Sequence, residues 1–453
     1  MNLSSMLHER AERGHPVRIA LIGCGKFATM YLTQALNTRG IQIVGIADLD
    51  PGRAMRQLAT AGWEAERYQA RDAAEALVNG TTWLTDDAAG LIAIDELDVV
   101  VEATGIPVTS TIMGVGAFPE THELSLRWLG MHGSAYANWA VSGEFEKDAE
   151  GNSTKVAEGA DLLLAFGVRF DDRVTGKVEK FCEHGTIVHI DIDPSEINKN
   201  RKVALPVISE IRYALERLAD MVSERPLQKK FTAWQEQVAR WKAKAPFGYR
   251  VTDEVMNSQH MKDHLTGSED EVILPQMVIE MLYELTGGDA ILTTGVGQHQ
   301  MWAGQYYLSD NPRQLITSAG LGAMGFGYPA ALGAKVARPD KQVIVFSGDG
   351  AFGWNGMEID TMVRKNIPAI IVISNNGGWA GAGVMTAGRD LGFSRYDQMA
   401  KVFGAHGEFV ERPEDIRPAL ERAAASGKPA VVNVVTDPTA RSSTQSFAAY
   451  RAI

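Results

Sequence analysis

Apolar runs that end in small and polar residues recur along the chain, and the clearest pair lies in its last third. The run Val343 to Phe346 leads into Gly-Asp-Gly, and the run Ala369 to Ile373 leads into Ser-Asn-Asn-Gly-Gly. Continuous apolar runs of this length are typical of parallel strands that are buried on both faces. Between them, the amphipathic stretch Met357 to Lys365 predicts a helix. The pattern therefore predicts a βαβ unit with polar groups at the carboxyl ends of two strands.

The same alternation occurs earlier in the chain. Residues 17 to 50 contain an apolar strand, a Gly-rich turn, a helix and a second strand, while Ala160 to Phe166 and Thr186 to Ile190 are further strand-like runs. We therefore predict an α/β fold of three successive parallel-sheet, Rossmann-like domains. The predicted segments are a dinucleotide-binding-like segment, a central domain, a polar linker and a last domain, at residues 1–105, 106–222, 223–272 and 273–453. Within the linker, Trp234 and Trp241 recur at helical spacing, which indicates packing on a neighbouring domain.

Composition limits the partners of the protein. The chain has 453 residues and a formal net charge of −12, which disfavours nucleic acid and anionic membranes as partners. Its two cysteines, Cys24 and Cys182, are far apart, so we expect no disulfide framework and a reducing compartment. The first residues lack the apolar core of a signal peptide, and no apolar run approaches the length of a membrane span. We therefore expect a cytoplasmic protein that acts on small molecules.

The polar strand ends offer the ligands that Mg²⁺ prefers. Proteins usually hold Mg²⁺ with one or two oxygen ligands together with substrate phosphates. Asp349 offers a carboxylate, Asn376 an amide oxygen and Gly378 a backbone carbonyl. The glycines at 348 and 350 let the backbone approach a diphosphate closely and present N–H donors. These residues predict a site for a metal-bound diphosphate.

This arrangement resembles the thiamine diphosphate (ThDP) binding motif, in which Gly-Asp-Gly and a spacer precede Asn-Asn. The preceding segments resemble acetolactate synthases, which are ThDP enzymes, in LPQMVIEMLYELTGGDAILTTGVGQHQMWAGQYY and ITSAGLGAMGFGYPAALGAKVA. The resemblance implies that Met324 is the wedge that bends the cofactor into its reactive shape. It implies further ThDP contacts from Gly297, Gln298, His299, Gly348, Asp349, Gly350, Ala351, Asn376 and Gly378.

The central segment, from about Pro107 to Val222, also resembles acetolactate synthases. The motifs are PVTSTIMGVGAFPETHELSLRWLGMHGSAYANWAV, ADLLLAFGVRFDDRVTGKVEKF and IVHIDIDPSEINKN. The resemblance implies a structural FAD held by Leu129, Gly130, Met131, His132, Gly133, Gly167, Arg169, Asp191 and Ile192. It also places Arg173 near the substrate channel, where its charge could attract a 2-ketoacid carboxylate. The family's domain starts earlier, and Asp98 to Glu102 stands in place of that opening, which leaves the occupancy of the FAD site open.

The first segment carries a dinucleotide-binding fingerprint in a strand–turn–helix context. Gly23 permits the tight turn, Gly25 lets the backbone approach a pyrophosphate, and Ala28 permits close packing of helix on strand. Asp48 could bind ribose hydroxyls, which favours NAD over NADP, and Arg53 weakens that preference. The segment resembles the nucleotide-binding half of homoserine-dehydrogenase-like oxidoreductases, but the catalytic domain of that family does not follow.

Two features leave the substrate and the activity open. From about Gln342 onward, the sequence resembles 2-hydroxyacyl-CoA lyases and oxalyl-CoA decarboxylases, which are also ThDP enzymes. Acetolactate synthases activate ThDP with a glutamate on an N-terminal pyrimidine-binding domain, usually from another subunit, and we find no match to that domain. Glu102 lies in a predicted strand and is no substitute.

We therefore expect a ThDP- and Mg²⁺-dependent enzyme of the acetolactate synthase type, which joins 2-ketoacids with loss of CO₂. Its activity is expected to be impaired, or to depend on a homo-oligomer or a partner chain that supplies the pyrimidine-binding domain. Three alternatives stay open: a lyase or decarboxylase that acts on an acyl-CoA, an NAD(P)-dependent oxidoreductase, and a non-catalytic subunit.

Overall fold

The computed structural model describes residues 12–13, 16–24, 26–48, 50–87, 91, 99–102, 106–147, 153–224, 231–258, 262–263, 265–379 and 388–440. The fold is α/β with parallel sheets, as the apolar runs predict. The chain divides into two compact units, while the four predicted segments stay a prediction. The first unit comprises Met1–Ile106, His189–Pro194 and Pro206–Glu236, and the second comprises Pro107–Val188, Ser195–Leu205 and Gln237–Ile453.

The first part of the chain forms a four-stranded sheet. Its elements are β1 (Val17–Ile22), α1 (Lys26–Asn37), β2 (Ile41–Ala47), α2 (Pro51–Thr60), α3 (Ala73–Asn79), β3 (Trp83–Thr85) and β4 (Val99–Glu102). The strand order is β3-β2-β1-β4, and β1 pairs in parallel with β2 and β4. Leu21, Leu32, Ile46 and Leu58 are fully buried between this sheet and its helices.

The middle of the chain contains three small sheets. Its elements are β5 (Val108–Ser110), β6 (Ser125–Trp128), α4 (Ala135–Ser142), β7 (Glu144–Lys147), β8 (Ser153–Ala157), β9 (Leu162–Phe166), α5 (Asp172–Thr175), β10 (Thr186–Asp191), β11 (Leu205–Ile208), α6 (Ile211–Glu224) and α7 (Thr232–Lys244). β5 pairs with β6 in parallel, and β11, β10 and β9 form one sheet in that order. β7 and β8 are antiparallel, which the apolar pattern did not predict.

The predicted linker contains an ordered, packed helix. Trp241 in α7 is buried, and its indole N–H donates to the carboxylate of Glu144 at 2.7 Å. Its ring lies 6.4 Å from that of Trp139. Val255, farther along the predicted linker, is buried in the main core of the last sheet. Residues from Gln237 onward therefore belong to the second unit and do not form a free connector.

The last part of the chain contains the largest sheet. Its elements are α8 (Asp253–Met256), α9 (Pro275–Thr286), β12 (Ile291–Thr294), α10 (Gln298–Tyr306), β13 (Leu315–Ile316), α11 (Gly327–Ala337), β14 (Val343–Gly348), α12 (Asp349–Asn355), α13 (Glu358–Arg364), β15 (Ile370–Asn375), α14 (Tyr396–Val402), β16 (His406–Val410), α15 (Pro413–Ala425) and β17 (Ala430–Val435). The strand order is β13-β12-β14-β15-β17-β16, and every neighbouring pair is parallel.

Both faces of this sheet are covered by apolar side chains. Ile344 and Phe346 of β14 belong to the core on one face, while Val343 and Val345 belong to the core on the other. The continuous apolar run therefore reflects burial on both faces. Short 3-10 helices cover Ala65–Tyr68, Ile112–Gly114, Val178–Lys180 and Glu269–Glu271. Among the described residues, no helix is long and apolar enough to cross a membrane. The expected cytoplasmic location stays a prediction.

Candidate functional site

The carboxyl ends of three central strands bring the predicted ThDP contacts together. β12, β14 and β15 are neighbours, with Thr294 opposite Phe346 and Gly348 opposite Ser374. Their following residues therefore lie along one edge of the sheet, where parallel α/β sheets bind ligands. These residues are Gly297, Gln298 and His299 after β12, Gly348, Asp349, Gly350 and Ala351 at the end of β14, and Asn376 and Gly378 after β15.

Asp349 is a buried carboxylate with one unsatisfied oxygen. Its Oδ1 accepts the N–H of Gly350 at 2.7 Å, while Oδ2 has no hydrogen-bond partner among the described residues. Burial raises the pKa of Asp349 to about 7, although the backbone N–H groups of Gly350, Gly378 and Gly377 act in the opposite direction. A buried oxygen of this kind is costly unless a partner satisfies it. A bound cation would supply that partner.

The backbone of Gly378 faces Asp349. Gly378 forms an isolated antiparallel bridge with Asp390, and the two hydrogen bonds of that bridge join the neighbouring residues. In such a pair, the N–H and C=O of the central residue point away from the opposing segment. The N–H of Gly378 accordingly lies near the carboxylate of Asp349. The carbonyl of Gly378 shares this side, so it can act as a neutral oxygen ligand.

Three glycines make room for the ring of His299. A Cβ added at Gly348 would lie 3.0 Å from its Nδ1, one at Gly295 would lie 2.9 Å from Nε2, and one at Gly297 would lie 3.1 Å from Cε1. His299 is buried, and its Nε2 has no hydrogen-bond partner among the described residues. Burial lowers the pKa of His299 to about 4, so the imidazole is neutral at pH 7. A neutral ring can donate one N–H to a phosphate oxygen.

Two helices begin at this edge. α10 starts at Gln298 with Gly297 as its N-cap, and α12 starts at Asp349, so that Gly350 and Ala351 lie in its first turn. The first N–H groups of a helix have no partner within the helix, and the helix dipole favours negative charge there. The edge therefore offers backbone donors to a diphosphate.

The turn that carries Met324 packs against the end of α12. Met324 is half-buried, and Gly325 after it has φ 79°, which favours glycine. The side chain of Asn355 donates to the carbonyl of Gly325 at 3.3 Å. A Cβ added at Gly325 would lie 2.9 Å from the Cβ of Trp354. Met324 is thus held beside the helix that starts at Asp349.

Trp379 is a residue of this site that the sequence analysis did not single out. A Cβ added at Gly350 would lie 2.7 Å from its Nε1, so the indole covers the first turn of α12. Trp379 is 39% exposed, and its ring lies 6.4 Å from that of Trp354. In the sequence Trp379 simply follows two glycines, which does not indicate a contact with Gly350.

The predicted FAD loop of the second unit folds against Arg173. The N–H of Met131 donates to the carbonyl of Arg173 at 2.8 Å, and a Cβ at Gly130 would overlap the same carbonyl. Burial and the charge of Arg173 lower the pKa of His132 to about 4. The side chain of Gln305 in α10 donates to the carbonyl of His132 at 2.7 Å. The structure therefore brings Leu129–Gly133, Arg173 and α10 together.

The remaining predicted FAD contacts belong to both compact units. Arg169 is 52% exposed and forms an ion pair with Asp171, so its guanidinium is already engaged. Gly167 is an exposed residue just after β9. Asp191 and Ile192 belong to the first unit, where Asp191 is buried and Ile192 is 67% exposed. These residues do not by themselves identify an FAD site.

The predicted NAD contacts are partly occupied by an internal ion pair. Both carboxylate oxygens of Asp48 accept from Nη2 of Arg53 at 2.7 Å. Ribose hydroxyls could bind Asp48 only in competition with that guanidinium. Gly23 adopts φ 84°, as a tight turn requires. Gly25 and the side chain of Ala28 lie outside the described residues.

Among the described residues, no group of three or more His, Cys, Asp or Glu side chains is arranged to hold a metal ion. A cation at Asp349 would therefore complete its shell with neutral protein oxygens, diphosphate oxygens and water. This donor set suits Mg²⁺, which binds through few protein groups. The unsatisfied Oδ2 atom, the small residues and the helix N-termini together fit a magnesium-bridged diphosphate.

Comparison with known proteins agrees with this geometry. Residues 295–434 match the family described as thiamine pyrophosphate enzyme, C-terminal TPP binding domain, and residues 87–145 and 146–218 match the central domain of these enzymes. Chloroplastic acetolactate synthase 1 of Nicotiana tabacum is 46% identical over 284 residues, which cover 62% of this chain and 38% of that protein. Chloroplastic acetolactate synthase of Arabidopsis thaliana is 45% identical over 284 residues, with the same coverage of 62% and 38%.

The chain thus spans about two fifths of the length of these curated relatives. The C-terminal match contains the residues after β12, β14 and β15 that lie along this edge of the sheet. Over these two stretches, the chain is similar to the central domain and the C-terminal TPP-binding domain of thiamine pyrophosphate enzymes.

Proposed function

We propose that the protein binds ThDP through Mg²⁺ and takes part in an acetolactate synthase-type reaction, in which two 2-ketoacids are joined with loss of CO₂. One observation carries the proposal. The buried carboxylate of Asp349 has an unsatisfied oxygen and faces the backbone of Gly378 at the edge that matches a TPP-binding domain. The similarity to acetolactate synthases supports the reaction type.

Each residue at this edge has a separate role in the proposal. Asp349, Asn376 and the carbonyl of Gly378 would hold the metal, and Met324 would shape the cofactor. His299 would donate to the diphosphate, because its low pKa keeps it neutral without preventing it from donating. When bound, ThDP supplies the carbon nucleophile and the electron sink that decarboxylation requires. The diphosphate would also contact backbone groups of Gly297, Gln298, Gly348, Gly350 and Ala351.

The substrate is proposed to be a 2-ketoacid that Arg173 attracts, and an acyl-CoA is the alternative that the C-terminal sequence supports.

FAD is proposed to contact the loop Leu129–Gly133, and a flavin absorbance spectrum of the purified protein tests this. An NAD(P)-dependent oxidoreductase has less support, because Asp48 is paired with Arg53. Activity is proposed to require an activating glutamate from a pyrimidine-binding domain, which a partner chain or a second subunit could supply.

Calorimetric titration of the protein with ThDP tests the proposed site, with and without Mg²⁺. We expect binding that requires Mg²⁺ and that Asp349→Asn weakens at least tenfold, because the variant loses the charged metal ligand. Asp360→Asn is the matched control, since Asp360 is a half-exposed carboxylate that pairs with Arg364 on α13. Metal-independent binding, or equal effects of the two substitutions, would contradict the proposal.

A further inference from the structure

Two buried amides lie behind the loop that carries Asn376 and Gly378. Asn375 is the last residue of β15, Asn433 lies in β17, and both side chains are 0% exposed. Nδ2 of Asn375 donates to Oδ1 of Asn433 at 3.1 Å, and Nδ2 of Asn433 donates to the carbonyl of Ser394 at 2.8 Å. Both ends of the Asn433 amide are therefore engaged.

The amide pair is connected directly to the loop. Oδ1 of Asn375 accepts the N–H of Gly377 at 3.2 Å. The carbonyl of Gly377 accepts the N–H of Leu391 at 2.9 Å. Nδ2 of Asn375 also reaches the carbonyl of Ser394 at 3.2 Å. The two amides thus fasten both the loop and the returning segment to the sheet.

The chemistry of Asn433 sets the orientation of the Asn375 amide. Nδ2 of Asn433 donates to a carbonyl, so its Oδ1 is left as the acceptor that faces Asn375. Asn375 must then present Nδ2 to Asn433 and Oδ1 to the N–H of Gly377. If the Asn375 amide were reversed, its Nδ2 would face the N–H of Gly377, so that two donors met. Its Oδ1 would then face Oδ1 of Asn433, so that two acceptors met. Such unsatisfied buried groups cost on the order of 1–3 kcal/mol each.

We propose that Asn433 is a positioning residue of the Mg²⁺ site, which acts through Asn375 to fix the loop Asn376–Gly378. The affinity for Mg²⁺ then depends on the amide at position 433, although Asn433 does not itself contact the metal. This inference rests on the proposed function. Substituting a residue that hydrogen-bonds to metal ligands without contacting the metal typically lowers metal affinity about 10–100-fold.

A second buried pair joins the same two strands and provides a control. The hydroxyls of Ser374 in β15 and Thr436, just after β17, lie 3.0 Å apart, and Thr436 is fully buried. This side-chain pair makes no hydrogen bond to the loop Asn376–Gly378 among those described. Thr436→Val removes a buried interstrand hydrogen bond while it keeps the volume of the side chain.

The test is a titration with Mg²⁺ at fixed ThDP, followed by calorimetry, for wild type, Asn433→Ala, Asn433→Leu and Thr436→Val. We expect both Asn433 variants to raise the half-saturating Mg²⁺ concentration about tenfold or more, and Thr436→Val to change it less than about twofold. Asn433→Ala removes the amide without adding bulk, so it serves if Asn433→Leu does not fold. Equal shifts in all three variants, or no shift in the Asn433 variants, would overturn the proposal.

Hydrogen exchange of the cofactor-free protein separates this inference from the proposed function. We expect the Asn433 variants to speed exchange at the amides of Gly377 and Leu391, and Thr436→Val to leave both rates unchanged. If wild type binds no ThDP, the proposed function fails, but these rates still decide whether Asn433 holds the loop. Unchanged rates in folded Asn433 variants would refute the positioning role.

Discussion

At the scale of single residues, the site holds two ionisable groups in the forms that burial favours. Burial raises the pKa of Asp349 to about 7 and lowers that of His299 to about 4. Both residues are thus partly or fully neutral near pH 7 when no ligand is present. Ionised Asp349 is unfavourable in the ligand-free protein, because it is buried without a cation. Its ionisation therefore lowers the free energy of unfolding.

Asp349→Asn is expected to stabilise the ligand-free protein at pH 8. The folded-state pKa of Asp349 is raised, so its favourable contribution is complete below about pH 4 and is lost as pH rises through about 7. The amide has no such loss, and the gain in unfolding free energy is at most about 4 kcal/mol. Denaturant unfolding of both proteins at several pH values measures it. His299 is common to both proteins, so its opposite pH dependence cancels.

The gain should disappear as pH falls below about 4, where the carboxyl group of Asp349 is protonated in both the folded and the unfolded states. Asp360→Asn should not stabilise the protein at pH 8, because the substitution removes the ion pair with Arg364. A variant Asp349→Asn that is less stable than wild type at pH 8 would show that the carboxylate has a partner.

At the scale of elements, strand β6 holds the C-terminal end of α10. Arg127 donates to the carbonyl of Gln305 at 2.6 Å, and the indole of Trp128 donates to that of Gly304 at 3.0 Å. Arg127 adopts φ 61°, a backbone conformation that costs a non-glycine residue roughly 1 kcal/mol. These contacts fix the end of the helix whose first turn carries His299.

Arg127→Ala is expected to destabilise the protein by about 3–5 kcal/mol. Arg127 lies 3.7 Å from Glu120, whose side chain is 1% exposed, so the substitution leaves a buried carboxylate without its cation. Adding Glu120→Gln should recover much of the loss, because the neutral amide can still accept the N–H of Ser309. Thermal unfolding of the three variants measures both effects. A double variant as unstable as Arg127→Ala would assign the loss to packing instead.

The residues at the sheet edge could be predicted from the sequence, because each of them directly follows an apolar run that predicts a strand. An apolar run specifies a buried strand, and the residue after the run must then lie at the strand end, as Asp349 does. Contacts between distant segments leave no such signal. The indole of Trp379 over Gly350 and the amide pair of Asn375 and Asn433 both depend on packing between separate elements.

At the scale of the whole molecule, the edge formed by the carboxyl ends of β12, β14 and β15 lies in the second unit. The chain spans about two fifths of the length of the curated relatives that it matches. The described edge supplies oxygen ligands, backbone donors and a neutral imidazole. None of these can act as the carboxylic acid beside the aminopyrimidine ring that the resemblance requires. Binding of ThDP and turnover are therefore measured in separate experiments.

Turnover of pyruvate should appear only when a protein that carries the pyrimidine-binding domain is added. The measurement is acetolactate formation with ThDP and Mg²⁺, first with this chain alone and then with the added protein. A mixture that contains Asp349→Asn is the control, because it has the same partner and lacks the metal ligand. Robust turnover by the chain alone would show that the activating group lies within it.

The indole of Trp379 has one more consequence. It covers Gly350, whose amide belongs to the first turn of α12, and it lies 6.4 Å from the ring of Trp354 at 39°. We expect a phosphate group that binds at this turn to displace the indole and change the coupling between the two rings. Binding of a ligand would therefore change the near-ultraviolet circular dichroism of Trp354 and Trp379, which can be measured without an added dye.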